Sequence, residues 1–168
     1  MDTTDINITF NSDGICHNCT NFFNNIQSKW DKSRNGKLKH KLIDIVEKIK
    51  SSGRNNEFDC ILGFSGGCDS SYMLHMMVTE FNLRPLVIHV DGGWNTKDAA
   101  HNIRCLIDKL NLELYVKVIN WEEMRSLQLA YFKSGVSNLD TPQDHAFFAT
   151  QYHFAKKHKK SKNKSARI

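Results

Sequence analysis

The hydrophobic pattern of the chain alternates between short continuous apolar runs and longer stretches with helical spacing. Three short runs, at about 58–64, 85–90 and 112–119, have the length and composition of strands. The stretches between them, 70–82 and 97–110, carry apolar residues at helical spacing. Because consecutive parallel strands need helical crossovers, this order predicts an α/β fold with a doubly wound, Rossmann-like parallel sheet.

Two more helices are predicted outside this core. One covers about 36–52 and is followed by Gly53, which is typical of the residue just past a helix end. The other starts at Thr141, with Thr as the cap and Pro at the next position, and runs into the C-terminal lysines. We divide the chain into an N-terminal Cys-x-x-Cys segment (1–35), a central domain that contains the three strands (36–158) and a basic tail (159–168).

The sequence Ser65-Gly66-Gly67-Cys68-Asp69-Ser70 lies where the first strand meets the next helix. Glycines let a ligand approach the backbone closely, and a helix N-terminus presents unpaired N–H groups with partial positive charge. Such a loop binds phosphate. The alternative is a Ser/Gly turn in which Asp69 only caps the helix. No Gly-Lys-Ser/Thr follows at Walker A spacing, and the dinucleotide-binding Gly-x-Gly-x-x-Gly is absent.

The charge of the chain argues against nucleic acid as a partner. The net charge is +5, but residues 156–168 hold seven Lys and Arg and no acid, which leaves −2 for the rest. The N-terminus lacks the apolar segment of a signal peptide, and no apolar run reaches membrane-spanning length. We therefore expect a cytoplasmic protein with no membrane partner, whose five cysteines are reduced.

The loop resembles the pyrophosphate loop of the PP-loop ATP pyrophosphatases. The resemblance implies that ATP and Mg²⁺ are the cofactors and that Asp69 either bears on Mg²⁺ or caps the helix. Asp91, after the second strand, would meet the ribose or the metal, and Trp94 would either stack on a base or sugar or cover the sheet edge. We also expect a Gly66→Val variant to lose nucleotide binding but keep its fold, because the side chain would fill phosphate space. The predicted nucleotide-binding residues are Ser65, Gly66, Gly67, Asp69, Ser70, Ser71, Asp91 and Trp94.

Several segments together resemble a narrower family, the N-acetyl sugar amidotransferases of surface-polysaccharide biosynthesis. They are Met1–Asp5 through Cys16–Cys19, the loop at 65–70, Val90–Asn95 and Asp144–Phe148. The resemblance implies adenylation of an N-acetyl sugar and displacement of AMP by ammonia from a partner glutaminase. Asp69, Asp144 and His145 are the catalytic residues it implies, although Asp144 is equally suited to cap its helix.

Two departures from that family shape the expectations. Its members carry another Cys-x-x-Cys before the segment matching residues 1–5, and they continue with further strands, so we expect a fragment with an incomplete sheet.

Cys16 and Cys19 have zinc-knuckle spacing, but tetrahedral zinc needs four ligands, and His17 between them is poorly placed to join. Two functions are alternatives to the sugar amidotransferase. One is a tRNA-thiolating PP-loop enzyme, which also combines Cys-x-x-Cys with this loop, and the other is an inactive nucleotide-binding remnant.

Overall fold

The computed structural model describes residues 2–161. The chain divides into two compact units between Lys48 and Ile49, and each is described by itself. Most of the predicted basic tail lies outside the described residues, which end in the last turn of a helix.

The first unit is built from short helices. Residues Phe10 and Cys16 form an antiparallel bridge, and the Cys16 side chain accepts a hydrogen bond from the Cys19 N–H at the start of the first helix. A helical stretch follows, with one π-helical turn inside it. The helices are α1 (His17–Asn21), the π turn (Phe22–Ile26), α2 (Gln27–Arg34) and α3 (Lys39–Gly53), which continues past the boundary at Lys48.

The second unit contains three parallel strands in the order β1-β2-β3, and it confirms the predicted α/β Rossmann-like fold. Gly63 at the end of β1 is in register with Ile88, and Asp91 at the end of β2 with Val118. The strands are β1 (Cys60–Gly63), β2 (Pro85–Asp91) and β3 (Leu114–Val118). The helices are α4 (Cys68–Thr79), α5 (Lys97–Leu110), α6 (Trp121–Ser134) and α7 (Thr141–Ser161).

Helices cover both faces of this sheet. Since side chains alternate along a strand, Val87 of β2 packs with Leu74 of α4 and Ile103 of α5 on one face. Leu86, Ile88 and Val90 point to the other face and pack with Phe147 and Phe154 of α7. Burial on both faces explains why β2 reads as a continuous apolar run instead of an alternating one.

Helix α6 was missing from the sequence prediction. Its start is marked by Asn120, whose side chain accepts hydrogen bonds from the backbone of Glu122 and Glu123, and its end by Gly135 at φ 69°. The two glutamates also stabilise the N-terminus of the helix dipole. These capping signals were present in the sequence, but only Met124 and Gln128 of the helix are buried, so its apolar periodicity is weak.

Candidate functional site

The segment between β1 and α4 presents unpaired backbone donors at the carboxyl edge of the sheet. Gly67 is extended (φ −74°, ψ 164°) and caps α4, which begins at Cys68. The N–H groups of the first helical turn, including those of Cys68 and Asp69, have no helical carbonyl to bond. Cys68 and Asp69 are both exposed, so this helix end can receive an anion.

Two hydroxyl groups brace the loop from within. The Oγ atoms of Ser65 and Ser70 lie 3.0 Å apart, and Ser70 Oγ donates to the Gly67 carbonyl at 3.2 Å. The Ser65 N–H also donates to Ser70 Oγ at 3.4 Å. These bonds connect Ser65, Gly67 and Ser70 and hold the loop in a fixed curve. Ser71 follows within the first turn, and its N–H bonds the Gly67 carbonyl.

The two glycines of the loop have different roles. Gly66 has a φ of 76°, and a Cβ there would collide with the Ala99 carbonyl and come within 2.9 Å of Ile103 Cγ1, both on α5. Asn102 of α5 also donates to the Gly66 carbonyl at 3.1 Å. The expectation that a side chain at 66 would fill phosphate space is therefore wrong, since it would displace the loop from α5. At Gly67, a Cβ would meet only Ser65 Oγ, at an ordinary 3.5 Å.

The turn after β2 is bonded within itself. The Asp91 carboxylate accepts a hydrogen bond from the Gly93 N–H at 2.8 Å. Gly93 has a φ of 89°, and a Cβ there would lie 2.5 Å from Trp121 Cε3. Trp94 packs edge-to-face against Trp121, with ring centroids 5.0 Å apart, yet it is 51% exposed and lines a cleft. The geometry thus accommodates both roles foreseen for Trp94.

A buried histidine joins the two segments. His89 of β2 is 8% exposed, and its Nδ1 lies 2.8 Å from the Phe64 carbonyl, one residue before the loop. Its Nε2 lies 2.9 Å from Nδ2 of Asn95, in the turn. Sequence reasoning missed this residue, although one polar side chain in a buried strand was a usable signal.

A cleft of about 420 Å³ lies between the loop, the turn and α7. Three residues of α7 at spacing of four face it, namely Gln143, Phe147 and Gln151. Gln151 lies over Gly63, where a Cβ would come within 2.5 Å of Nε2. The helical spacing of these three was a second missed signal. The remaining lining residues are Gly63, Phe64, Ser65, Ile88, His89, Val90, Trp94, Asn95, Thr96 and Ala99.

Of the predicted nucleotide-binding and catalytic residues, only Ser65 and Trp94 line the cleft, while Asp91, Asp144 and His145 lie near it. Asp144 and His145 are exposed in the first turns of α7, beside Gln143. The Asp144 N–H bonds the Asp140 carbonyl, and Asp91 is occupied by its own turn. The structure thus brings together Ser65, Trp94 and the α7 glutamines, while the catalytic roles of Asp144 and His145 stay predictions.

The Cys-x-x-Cys segment does not assemble a zinc site. The Cys19 N–H donates to Cys16 Sγ at 3.4 Å and lowers the pKa of that thiol. His17 is engaged elsewhere, since its Nδ1 accepts from the Thr9 N–H at 3.2 Å. Within residues 2–161, no three His, Cys, Asp or Glu side chains are grouped so as to hold a metal ion, and zinc is not supported.

A strand, a glycine loop and a helix N-terminus beside a cleft at the carboxyl edge of a parallel sheet are typical of a nucleotide-binding α/β domain. A family model described as the phosphoadenosine phosphosulfate reductase domain matches residues 59–164, and the chain belongs to that family. The predicted PP-loop superfamily is therefore confirmed, whereas the narrower sugar amidotransferase family is not. No helix within the described part of the chain is both long enough and apolar enough to span a membrane.

The chain is similar to part of several longer proteins. An uncharacterized protein of Methanocaldococcus jannaschii is 36% identical over 66 residues, which is 39% of this chain and 23% of that protein. An NH₃-dependent NAD synthetase from Campylobacter jejuni is 18% identical with a TM-score of 0.48, covering 68% of this chain and 50% of that one. An NMN synthetase from Francisella tularensis is 19% identical with a TM-score of 0.47, covering 68% and 48%. The chain thus spans about half of these solved structures and about a quarter of the curated relative.

Proposed function

We propose that this chain is the nucleotide-binding part of an ATP pyrophosphatase that amidates an N-acetyl sugar. The observation that carries the proposal is the loop at Ser65–Ser70, which opens onto the N-terminus of α4 beside the 420 Å³ cleft. The first-turn N–H groups offer donors to the β- and γ-phosphates of ATP, and the Ser65 and Ser70 hydroxyls, which bond one another and the Gly67 carbonyl, hold the loop beside them. Trp94, which also lines the cleft, offers an aromatic surface to the base or the sugar.

The proposed reaction has two steps. The acetamido oxygen of the sugar attacks the α-phosphorus of ATP, the bond to the bridging oxygen breaks, and pyrophosphate leaves. Ammonia then adds to the carbon of the O-adenylyl imidate, and AMP leaves with the original oxygen, so that an acetamidino group remains. The protein contributes by orienting the reactants and by stabilising charge on the departing pyrophosphate. The ammonia would come from a partner glutaminase.

Mg²⁺ fits this site as part of the nucleotide substrate. Asp69 is exposed in the first turn of α4, immediately beside the phosphate-binding loop, and carboxylate oxygens are ligands that Mg²⁺ prefers. Bound there, the ion offsets the charge of adjacent phosphates. Asp69 would hold it directly or through water, while its backbone N–H faces the phosphates. Asp144 and His145, exposed near the mouth of the cleft, are proposed to orient the sugar.

Exchange of labelled pyrophosphate into ATP tests the proposal directly. We expect exchange only when an N-acetyl sugar is present, because adenylation needs the acetamido oxygen as acceptor. A sugar that carries a free amine in place of the acetamido group is the matched control and gives no exchange. With ammonium added, mass spectrometry should detect exchange of the acetyl oxygen for nitrogen in the product.

Three results would contradict the proposal. Normal ATP binding without exchange for any N-acetyl sugar would indicate a nucleotide-binding module without this activity. Tight, salt-dependent tRNA binding in a filter assay would favour the thiolating enzyme. The family to which the chain belongs is named for phosphoadenosine phosphosulfate, so much tighter binding of that nucleotide than of ATP would favour it as the substrate.

A further inference from the structure

We propose that His89 is a positioning residue that sets the distance between the phosphate loop and the Asp91–Asn95 turn, so that one nucleotide contacts both. The inference rests on the proposed function, since it concerns a ligand that reaches from the loop to the turn. It assigns no contact between His89 and the ligand. In this role His89 holds the Asn95 side chain, so that the two residues act as one unit.

The hydrogen bonds of His89 define which atom carries its proton. The Phe64 carbonyl can only accept, so His89 Nδ1 donates to it across 2.8 Å. Nε2 of the neutral ring is then an acceptor, and Asn95 Nδ2 donates to it across 2.9 Å. The imidazole therefore connects the backbone immediately before Ser65 to a side chain of the turn through two directed bonds.

The position of His89 favours this role over simple packing. Its neighbours along β2, from Leu86 to Val90, are otherwise aliphatic and buried. A polar ring buried among them is costly unless both of its nitrogens are bonded. A rigid ring with a donor on one nitrogen and an acceptor on the other satisfies both segments, and an aliphatic residue would satisfy neither.

The loop itself is supported separately. Asn102 of α5 donates to the Gly66 carbonyl at 3.1 Å, and Gly66 packs directly on the backbone of Ala99. Loss of the His89–Asn95 bond would therefore leave the phosphate loop in place and loosen the turn that carries Trp94. A ligand that occupies only the loop should not sense this change, whereas a nucleotide that also reaches the turn should.

The test compares ATP with inorganic pyrophosphate in an Asn95→Ala variant of the full chain. We expect the Kd for ATP to rise roughly tenfold, as for loss of one ordering hydrogen bond, and the Kd for pyrophosphate to stay within about twofold. Asn102→Ala is the contrasting variant, because it removes support from the loop and should weaken both ligands. Calorimetry on each pair gives the two constants.

A double-mutant cycle separates positioning from direct contact. If Asn95 acts through His89, then Asn95→Ala should change ATP affinity little once His89→Phe has removed the ring nitrogens. Additive losses would mean that Asn95 touches the nucleotide itself and would overturn the inference. Equal losses for ATP and pyrophosphate in Asn95→Ala would overturn it as well, because the loop would then depend on the same bond.

Failure of the proposed function gives a different result. In that case the unaltered chain would bind neither ATP nor pyrophosphate, or would bind ATP without sugar-dependent exchange. The inference fails when the unaltered chain binds both ligands and Asn95→Ala shows no difference between them. Should His89→Phe fold poorly, the ATP-to-pyrophosphate comparison in Asn95→Ala, whose side chain is exposed, still decides the question.

Discussion

The two ends of strand β1 use polar residues in opposite ways. At its start, Asp59 has a side chain only 5% exposed and forms an ion pair with Arg84. Arg84 also donates to the Gly53 carbonyl at 3.2 Å, and its backbone N–H bonds the same carboxylate at 2.9 Å. At the other end, the loop beginning at Ser65 leads into a helix whose first N–H groups have no helical acceptor.

At the start of β1 the polar groups bond one another and stabilise the fold, whereas at its other end they are available to a ligand. The Arg84 guanidinium lowers the pKa of Asp59, since it stabilises the charged carboxylate. Both carboxylate oxygens of Asp59 thus accept hydrogen bonds from Arg84 within the protein. At the loop end the first-turn N–H groups lie at an exposed helix N-terminus, where the helix dipole adds positive potential, so an anion supplies what the fold does not.

Substitution of Gly66 should have the largest effect, because it changes fold and site together. We expect Gly66→Ala to lower the free energy of unfolding by about 2–4 kcal/mol, from the positive φ and the collision with α5. Gly135→Ala is the matched control, since Gly135 also has a positive φ of 69° but nothing lies within 4 Å of an added Cβ. This variant should lower the free energy of unfolding by only about 1 kcal/mol. Urea unfolding measures both, and equal losses would show that α5 does not constrain the loop.

Breaking the ion pair at the start of β1 should reduce stability without changing the site. Arg84→Met removes the guanidinium but keeps the backbone donor, and we expect a loss of about 1–2 kcal/mol at pH 7, because Arg84 is half exposed. The exposed Arg104 gives the control Arg104→Met, which should cost less than about 0.5 kcal/mol.

The pH dependence gives a second readout for the same pair. A carboxylate whose pKa is depressed in the folded state stabilises the protein above its unfolded pKa of about 4, and this contribution disappears as the pH falls through the lower folded value. The stability difference between Arg84→Met and the unaltered chain should therefore shrink below pH 4. A difference that stays constant down to pH 2 would contradict an electrostatic origin.

Substitution of Gly67 should have the opposite effect to substitution of Arg84, since it should weaken nucleotide binding and leave stability nearly unchanged. A Cβ at Gly67 meets only Ser65 Oγ at 3.5 Å, and its backbone angles suit any residue, so Gly67→Ala should keep its unfolding free energy within about 0.5 kcal/mol. Because Gly67 caps α4 beside the first-turn N–H groups, we expect the added methyl to obstruct phosphate there and ATP affinity to fall roughly tenfold or more. Unchanged ATP affinity in a stable Gly67→Ala protein would refute the loop assignment.

Sequence reasoning reached the sheet, the loop and the helices α3, α4, α5 and α7, but not α6, because each of the predicted elements is specified locally. Continuous apolar runs marked β1 and β2, and two glycines before Cys68 marked the loop. The orientation of Gly66 toward α5 could not be predicted, since it depends on the packing of Ala99, more than thirty residues away in the chain. The cleft-facing side of α7 carried a usable signal in the helical spacing of Gln143, Phe147 and Gln151, but the contact of Gln151 with Gly63 forms only after the helix has packed on the sheet.

The smallest effect should appear in the reactivity of two thiols at the opposite ends of β1. Burial raises the pKa of Cys60 to about 11, so about one in a thousand of these thiols is ionised at pH 8, and we expect it to react with iodoacetamide only after unfolding. Cys68 is exposed at the start of α4, and its alkylation should slow several-fold when MgATP occupies the loop.

Mass spectrometry of digested protein reports the alkylation of each cysteine separately. The exposed Cys105 of α5, outside the cleft, is the internal control and should react at the same rate with and without nucleotide. Protection of Cys105 equal to that of Cys68 would mean that the nucleotide acts on the whole domain and not on the loop.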